Sequence, residues 1–215
     1  VSATAADKVY NGSTTAIVTL TPIGVMAADA SAISVTYGSA NFASKDVAYN
    51  ATPAVTNQVV SISGIALTGS AAANYVISGG TTASASAKIT PAPLTITAAA
   101  SDKVYDATNT AAVTLTGNII NGDLITINKT SATFASKDVA YISGAVASQV
   151  VTVSGLTLSG AQAGNYSLAS NSVTSSATIT PAPLSVAAAA SDKVYDGSTV
   201  ATVALTVTGL KGSDA

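Results

Sequence analysis

Apolar and hydroxyl-bearing residues alternate along most of this 215-residue chain. Val150-Val151-Thr152-Val153-Ser154 leads into Leu156-Thr157-Leu158-Ser159, and Leu94-Thr95-Ile96-Thr97 and Leu184-Ser185-Val186 keep the same period of two. A period of two puts successive side chains on opposite faces of a pleated strand, so each stretch predicts a strand with one buried face. Further strands are expected over residues 111–116, 124–128, 133–135, 166–168 and 173–180. Turn formers separate them, among them Gly117-Asn118, Asn121-Gly122 and Gly164-Asn165. No segment holds a helical period beyond a single turn, expected near residues 159–163. About seven short strands in about 90 residues, rich in Thr, Val and Ile, predict an all-β fold of tandem immunoglobulin-like antiparallel β-sandwiches.

The pattern itself recurs. Asp7-Lys8-Val9-Tyr10-Asn11-Gly12 returns as Asp102-Lys103-Val104-Tyr105-Asp106-Ala107 and again as Asp192-Lys193-Val194-Tyr195-Asp196-Gly197. The spacings are 95 and 90 residues (102 − 7 and 192 − 102), the size of a whole small domain rather than of a solenoid repeat. Phe42-Ala43-Ser44-Lys45-Asp46-Val47-Ala48-Tyr49 recurs over residues 134–141 at an offset of 92. Residues 64–69 match 155–160 and Asn74-Tyr75 matches Asn165-Tyr166 at an offset of 91, while Ile89-Thr90-Pro91-Ala92-Pro93-Leu94 returns over 179–184 at 90. The length difference gathers in loops; three residues of it lie between Leu20 and Phe42, where Thr21-Pro22-Ile23-Gly24 reads as a turn.

The expected organisation is repeat 1 over residues 1–93, repeat 2 over 94–183 and a partial repeat 3 over 184–215. From Ile89 to Asp102 and from Ile179 to Asp192 the distance is 13 residues, and each stretch carries two prolines, which predicts a stiff junction. Both ends of the chain fall inside a repeat, as expected for a window of a longer protein. The partial repeat supplies about two strands, which are marginal in water alone. Its expected completion is by the rest of a repeat or by strand addition in a neighbouring chain.

Composition narrows the function. The chain has no Cys, His, Trp, Arg or Glu, and its 8 Lys and 10 Asp give a net charge of −2. That leaves no basic footprint for nucleic acid or anionic lipid, and no disulfide framework or thiol chemistry. An apolar share of 48% is enough to bury cores although charged residues make up only 8%. No apolar run reaches the length of a membrane-spanning helix, so no membrane insertion is expected. Without His or Cys the common nucleophile–base pairs cannot be assembled, and no phosphate-cradling glycine spacing occurs. The expectation is no enzyme, no catalytic residue and no cofactor.

The ordered blocks Lys-Val-Tyr-Asp-Gly, Phe-Ala-Ser-Lys-Asp-Val, Val-Ser-Gly-Leu-Thr-Leu-Ser-Gly, Gly-Asn-Tyr and Ile-Thr-Pro-Ala-Pro-Leu resemble the bacterial YDG domain across effectively the whole chain. Asn11 replaces the Asp of the name motif in the first repeat, and Ala107 replaces its Gly in the second. The resemblance implies a segment of a large secreted or surface-displayed protein, such as a filamentous-haemagglutinin-like adhesin. It implies an extracellular adhesin or matrix-fibre segment on the cell surface or in a biofilm matrix. The tandem modules themselves suggest a structural spacer or fibre-forming role, with neighbouring repeats and, through strand addition, other copies of the chain as the expected partners.

Candidate sites each have a structural counterpart. Tyr10, Tyr105 and Tyr195 could present a periodic binding loop, but Val104 and Tyr105 are expected to anchor a strand end while Asp106 closes a turn. Asp102, Asp106 and Asp138 could hold calcium, yet no calcium-loop spacing is present and neighbouring Lys103 and Lys137 offset the charge, so no metal site is expected. Lys45-Asp46 and Lys137-Asp138 are adjacent, and alternation would point each pair apart. The ingredients of a Lys–Asn isopeptide crosslink recur as Lys8, Asp46 and Asn74 and as Lys103, Asp138 and Asn165, although Asn165 reads more simply as a left-handed turn residue. A carbohydrate- or surface-binding module is the competing function, with Tyr37 the one tyrosine lacking a counterpart in the other repeat.

Overall fold

In the computed structural model, which describes residues 1–120, 122–212 and 214, the chain is all-β. The described residues include no α-helix, and 3-10 turns occur at Ala72–Asn74 and Ala163–Asn165. Observed strands at Val113–Gly117, Thr126–Asn128, Ser131–Phe134, Ser148–Ser154, Thr157–Ser159, Tyr166–Leu168 and Ser172–Thr180 overlap the predicted ones. Alternation did not reveal the two-residue strands at Lys103–Val104, Tyr141–Ile142 and Ala145–Val146, because two residues are too few to display a period.

Compactness divides the chain differently from the sequence period. One unit comprises Val1–Thr95, Asn118–Thr126 and Leu158–Ala169; the other comprises Ile96–Gly117, Ile127–Thr157 and Ser170–Ala215. Unit 1 thus takes two segments from the second sequence repeat.

In unit 1, Gln58–Ser63 is the central strand of an antiparallel sheet, flanked by Ser39–Phe42 and Thr82–Ala87. Its residues alternate strictly, with Gln58, Val60 and Ile62 buried and Val59, Ser61 and Ser63 exposed. Ser2–Ala5 pairs antiparallel with Val18–Thr21 and lies against Thr82–Ala87, and Ser34–Thr36 pairs with Ala66–Thr68. Phe42, Val60, Ile62, Ile65, Ile89 and Leu94 fill the core, each contributing roughly 1.5–3 kcal/mol by leaving water. Antiparallel sheets burying one face of each strand are compatible with a β-sandwich.

Unit 2 repeats the scheme. Its sheet runs in the order Lys103–Val104, Ser172–Thr180, Ser148–Ser154, Ser131–Phe134, with the first pairing parallel. Phe134, Val151, Val153, Leu156 and Ile179 form the core. Ile96–Ala100 pairs with Val113–Gly117, and Ser185–Ala190 pairs with Val203–Thr208 as an exposed ladder.

Candidate functional site

In the first two copies of the recurring Asp-Lys-Val-Tyr-Asp-Gly block, most residues have a local task. The leading carboxylate pins a strand, with Asp7 accepting from the Lys88 amide at 2.6 Å and Asp102 from the Thr178 amide at 2.6 Å. The lysine then clamps the turn that follows. Lys103 Nζ donates to Asp106 Oδ1 at 2.7 Å and to the Thr108 and Thr110 carbonyls at 2.8 and 3.1 Å, and it stands 5.7 Å from the centre of the Phe134 ring. Lys8 does the same with Asn11, Ser13 and Thr15 over Phe42.

The Asn or Asp three residues on closes an Asx turn, taking the Ser13, Thr108 or Ser198 amide at 2.9–3.1 Å. Its glycine supplies a left-handed backbone, with φ of 76° at Gly12 and 73° at Gly197; Ala107 adopts 64° despite its Cβ. Hydrogen bonds from Lys103 and then from Thr108 hold the Asp106 carboxyl down at about 2. The valine is not an anchor: Val104 is 53% exposed, and the lysine stem takes the inward position instead.

The tyrosine points to a densely connected polar site of unit 1. Tyr10, 2% exposed, donates to both oxygens of Asp123 at 2.9 Å. Tyr166 donates to Asp123 Oδ2 at 2.6 Å, and its own oxygen accepts from the Ile120 amide at 2.8 Å. The two rings meet edge to face at 5.6 Å. Lys45 completes the cluster, 3.6 Å from Asp123 Oδ1 and hydrogen-bonded to the Tyr10 oxygen at 3.3 Å.

Burial opposes ionisation of Asp123, but the Tyr166 and Tyr10 hydrogen bonds and the Lys45 cation outweigh it and hold the carboxyl below its usual range. Burial, reinforced by Asp123, pushes the Tyr166 phenol up to about 12 and raises Tyr10 in the same direction. This is a saturated clasp. Its donors and acceptors face one another.

Lys45 is aimed by a buried glutamine. Gln58 accepts from the Ser44 amide at 3.1 Å and donates to the Asp46 carbonyl at 2.6 Å, which folds residues 43–46 into a bend. Gln149 holds Ser136 and Asp138 identically in unit 2. The bend also corrects the expectation drawn from alternation. Lys137 Nζ reaches Asp138 Oδ1 at 2.9 Å and Lys45 reaches Asp46 at 3.8 Å, because a bend, unlike a strand, does not point neighbours apart.

The six residues considered for a crosslink are placed as follows. Lys8 and Lys103 sit in the turn clamps, and Asp138 pairs with Lys137. Asn74 is exposed at the end of its 3-10 turn. Asn165 is buried; its Oδ1 accepts from the Val47 amide at 2.8 Å and its Nδ2 donates to Asp46 Oδ1 at 2.7 Å. Asn165 does not adopt the left-handed backbone expected from the sequence; the carboxamide, not φ, is what that position uses. Asp102, Asp106 and Asp138 each serve the local partners named above, and no cluster of three potential metal-ligating side chains occurs among the described residues.

The sequence reading missed Asp123 and its counterparts. In unit 1 Tyr75 donates to Asp29 at 2.8 Å and accepts from the Met26 amide at 3.2 Å, the same arrangement as Tyr166 with Asp123 and Ile120. In unit 2 Tyr105 donates to Asp214 at 2.6 Å under Lys137. Asp123 and Asp214 are 91 residues apart, but Asp29 and Asp123 are 94 apart, across the loop whose length varies. A lone acid recurring in so charge-poor a chain was the available signal.

No curated protein and no solved structure matches the chain. A family profile described as the YDG domain matches twice in succession, over residues 1–85 and 90–174, and the chain therefore belongs to the YDG domain family.

Proposed function

We propose that the chain is a non-enzymatic structural spacer or fibre-forming segment of a bacterial extracellular adhesin or matrix protein, built from immunoglobulin-like β-sandwich repeats. The observation carrying this reading is the clasp. Its tyrosine and lysine come from the first sequence repeat, its carboxylate and second tyrosine from the next, and the four hold one another. A motif that recurs once per repeat and bonds forward to the next repeat is the device a load-bearing tandem array needs. The strand pairing of Ala92–Leu94 with Tyr166–Leu168 adds backbone hydrogen bonds to the same joint, a mode that strand addition between chains would reuse.

Pulling the chain by its ends tests this. Each compact unit is expected to unfold as a discrete event releasing about 300–350 Å of contour for about 100 residues, with the force for unit 1 lowered by Asp123→Asn. Featureless extension would refute a load-bearing role. The competing carbohydrate-binding role predicts glycan-array signals that disappear with Tyr37→Ala; the spacer reading expects none.

A further inference from the structure

The recurring block places a short parallel ladder in each unit. Lys8–Val9 pairs parallel with Ile89–Thr90 in unit 1, and Lys103–Val104 pairs parallel with Ile179–Thr180 in unit 2. Both ladders are fastened alike at their two ends. At the first end the Lys8 amide donates to the Lys88 carbonyl at 3.0 Å while Asp7 takes the Lys88 amide; in unit 2 Asp102 takes the Thr178 amide. At the second end the Tyr10 amide donates to the Thr90 carbonyl, and the Tyr105 amide to the Thr180 carbonyl, both at 2.8 Å. Burial of the valine does not hold these two-residue strands, since Val9 and Val104 are each 53% exposed. Polar fastening does: the Lys8 ammonium ties its strand to the turn at Asn11, Ser13 and Thr15, and the Tyr10 phenol ties it to Asp123.

The direction of the chain decides how such a ladder meets tension. The chain enters the first ladder at Asp7 and leaves it at Pro91; it enters the second at Asp102 and leaves at Pro181. In a parallel pair the entry of one strand and the exit of the other lie at opposite ends. Tension along the chain therefore slides one strand past its partner and stretches the evenly spaced rungs together. Entry and exit of an antiparallel pair would share one end, and the rungs would part singly.

We infer that the Asp-Lys-Val-Tyr block is a shear clamp, one in each unit, that resists tension along the chain and opens readily when its two strands are pulled apart from one end. The Asp7 and Asp102 carboxylates and the Tyr10 and Tyr105 amides belong to its rungs, and the lysine keeps the short strand from leaving them. The inference deepens the spacer reading and rests on it only for tension being the load this chain meets.

The test is force-clamp spectroscopy on the whole 215-residue chain, which has no cysteine, so introduced pairs fix where the handles attach. Pulled through Val1→Cys and Ala215→Cys, the chain is expected to open in two discrete steps. Asp7→Ala takes one charged acceptor from the unit 1 ladder and is expected to speed one step about tenfold at fixed force while sparing the other; Asp102→Ala is expected to do the reverse. Ile33→Val trims a buried side chain of unit 1 outside the ladder; it should lower stability in urea yet change the loaded rate by less than about twofold. Handles at Ala6→Cys and Ser86→Cys, both exposed and both before the first rung, are expected to open unit 1 at a force that the end-to-end geometry withstands. Equal forces in the two geometries, steps that Asp7→Ala and Asp102→Ala leave unchanged, or an effect of Ile33→Val as large as that of Asp7→Ala would each overturn the clamp. Discrete steps indifferent to the handles and to both aspartates would leave the spacer reading standing, whereas featureless extension would remove the spacer and the clamp together.

Discussion

Replacing Asp123 by Ala removes the acceptor from two buried phenols and the counter-charge from Lys45 in one step. A hydrogen bond to a charged group contributes about 1.5–3 kcal/mol, and two such bonds are lost from phenols that stay buried, while Lys45, 40% exposed, is rehydrated at little cost. The expected loss for unit 1 is therefore about 3–5 kcal/mol. Tyr10→Phe keeps the ring and its edge-to-face contact with Tyr166 while deleting one hydroxyl, so about 1.5–2 kcal/mol is expected. Because the chain has two compact units, one bulk transition would blur the effect. Native-state hydrogen exchange separates them: protection of the Val60 amide should fall by the stated amounts, and that of Val151, in the other unit, should be far less affected. In the double variant the two losses should fall short of additive by at least about 1 kcal/mol, since both act on one bond. A cost for Asp123→Ala below about 1 kcal/mol, or equal losses at Val60 and Val151, would refute the clasp as the element tying unit 1 together.

The same cluster sets a pH dependence. The folded-state Asp123 carboxyl lies below its usual range, so its stabilisation is present above the unfolded value and disappears as pH falls through the folded one; Asp123→Asn should flatten that acid limb of unit 1. At the alkaline end the Tyr166 phenol is raised from 10.0 to about 12, so its contribution is intact below pH 10 and lost as pH rises through 12, visible as delayed tyrosinate absorbance that Tyr166→Phe removes. Ala107→Gly should stabilise the chain by about 1 kcal/mol in urea denaturation, because φ of 64° strains a Cβ. Gly12→Ala should destabilise it, since a Cβ there would also meet Ile120 Cγ2 at 3.2 Å. Intact mass should equal the sequence mass of 20.8 kDa, with Lys8 and Lys103 engaged by turn oxygens; a deficit of one ammonia per complete repeat would establish a crosslink instead.

The sequence by itself determined the β class, most strands and the period of the array. Those follow from properties local to a few residues: alternation selects strands, Gly and Asn select turns, and recurrence exposes the repeat without any coordinates. It also located the Asx turn at Asp106, since an Asp followed by two small residues carries that geometry within four positions. What it could not determine were contacts joining residues more than 100 positions apart. Tyr10 and Asp123 are separated by 113 residues, and nothing near either one signals the other. Tyr10 and Tyr105 look equivalent in sequence, and only the fold shows which carboxylate, Asp123 or Asp214, each phenol meets. Gln58 and Gln149 read as ordinary polar strand residues until the fold buries them and makes them hold the bend that aims Lys45 and Lys137. Hydrogen-bonding chemistry belongs to the residue, but partner choice belongs to the fold; only the tertiary structure could turn a repeated tyrosine into a joint.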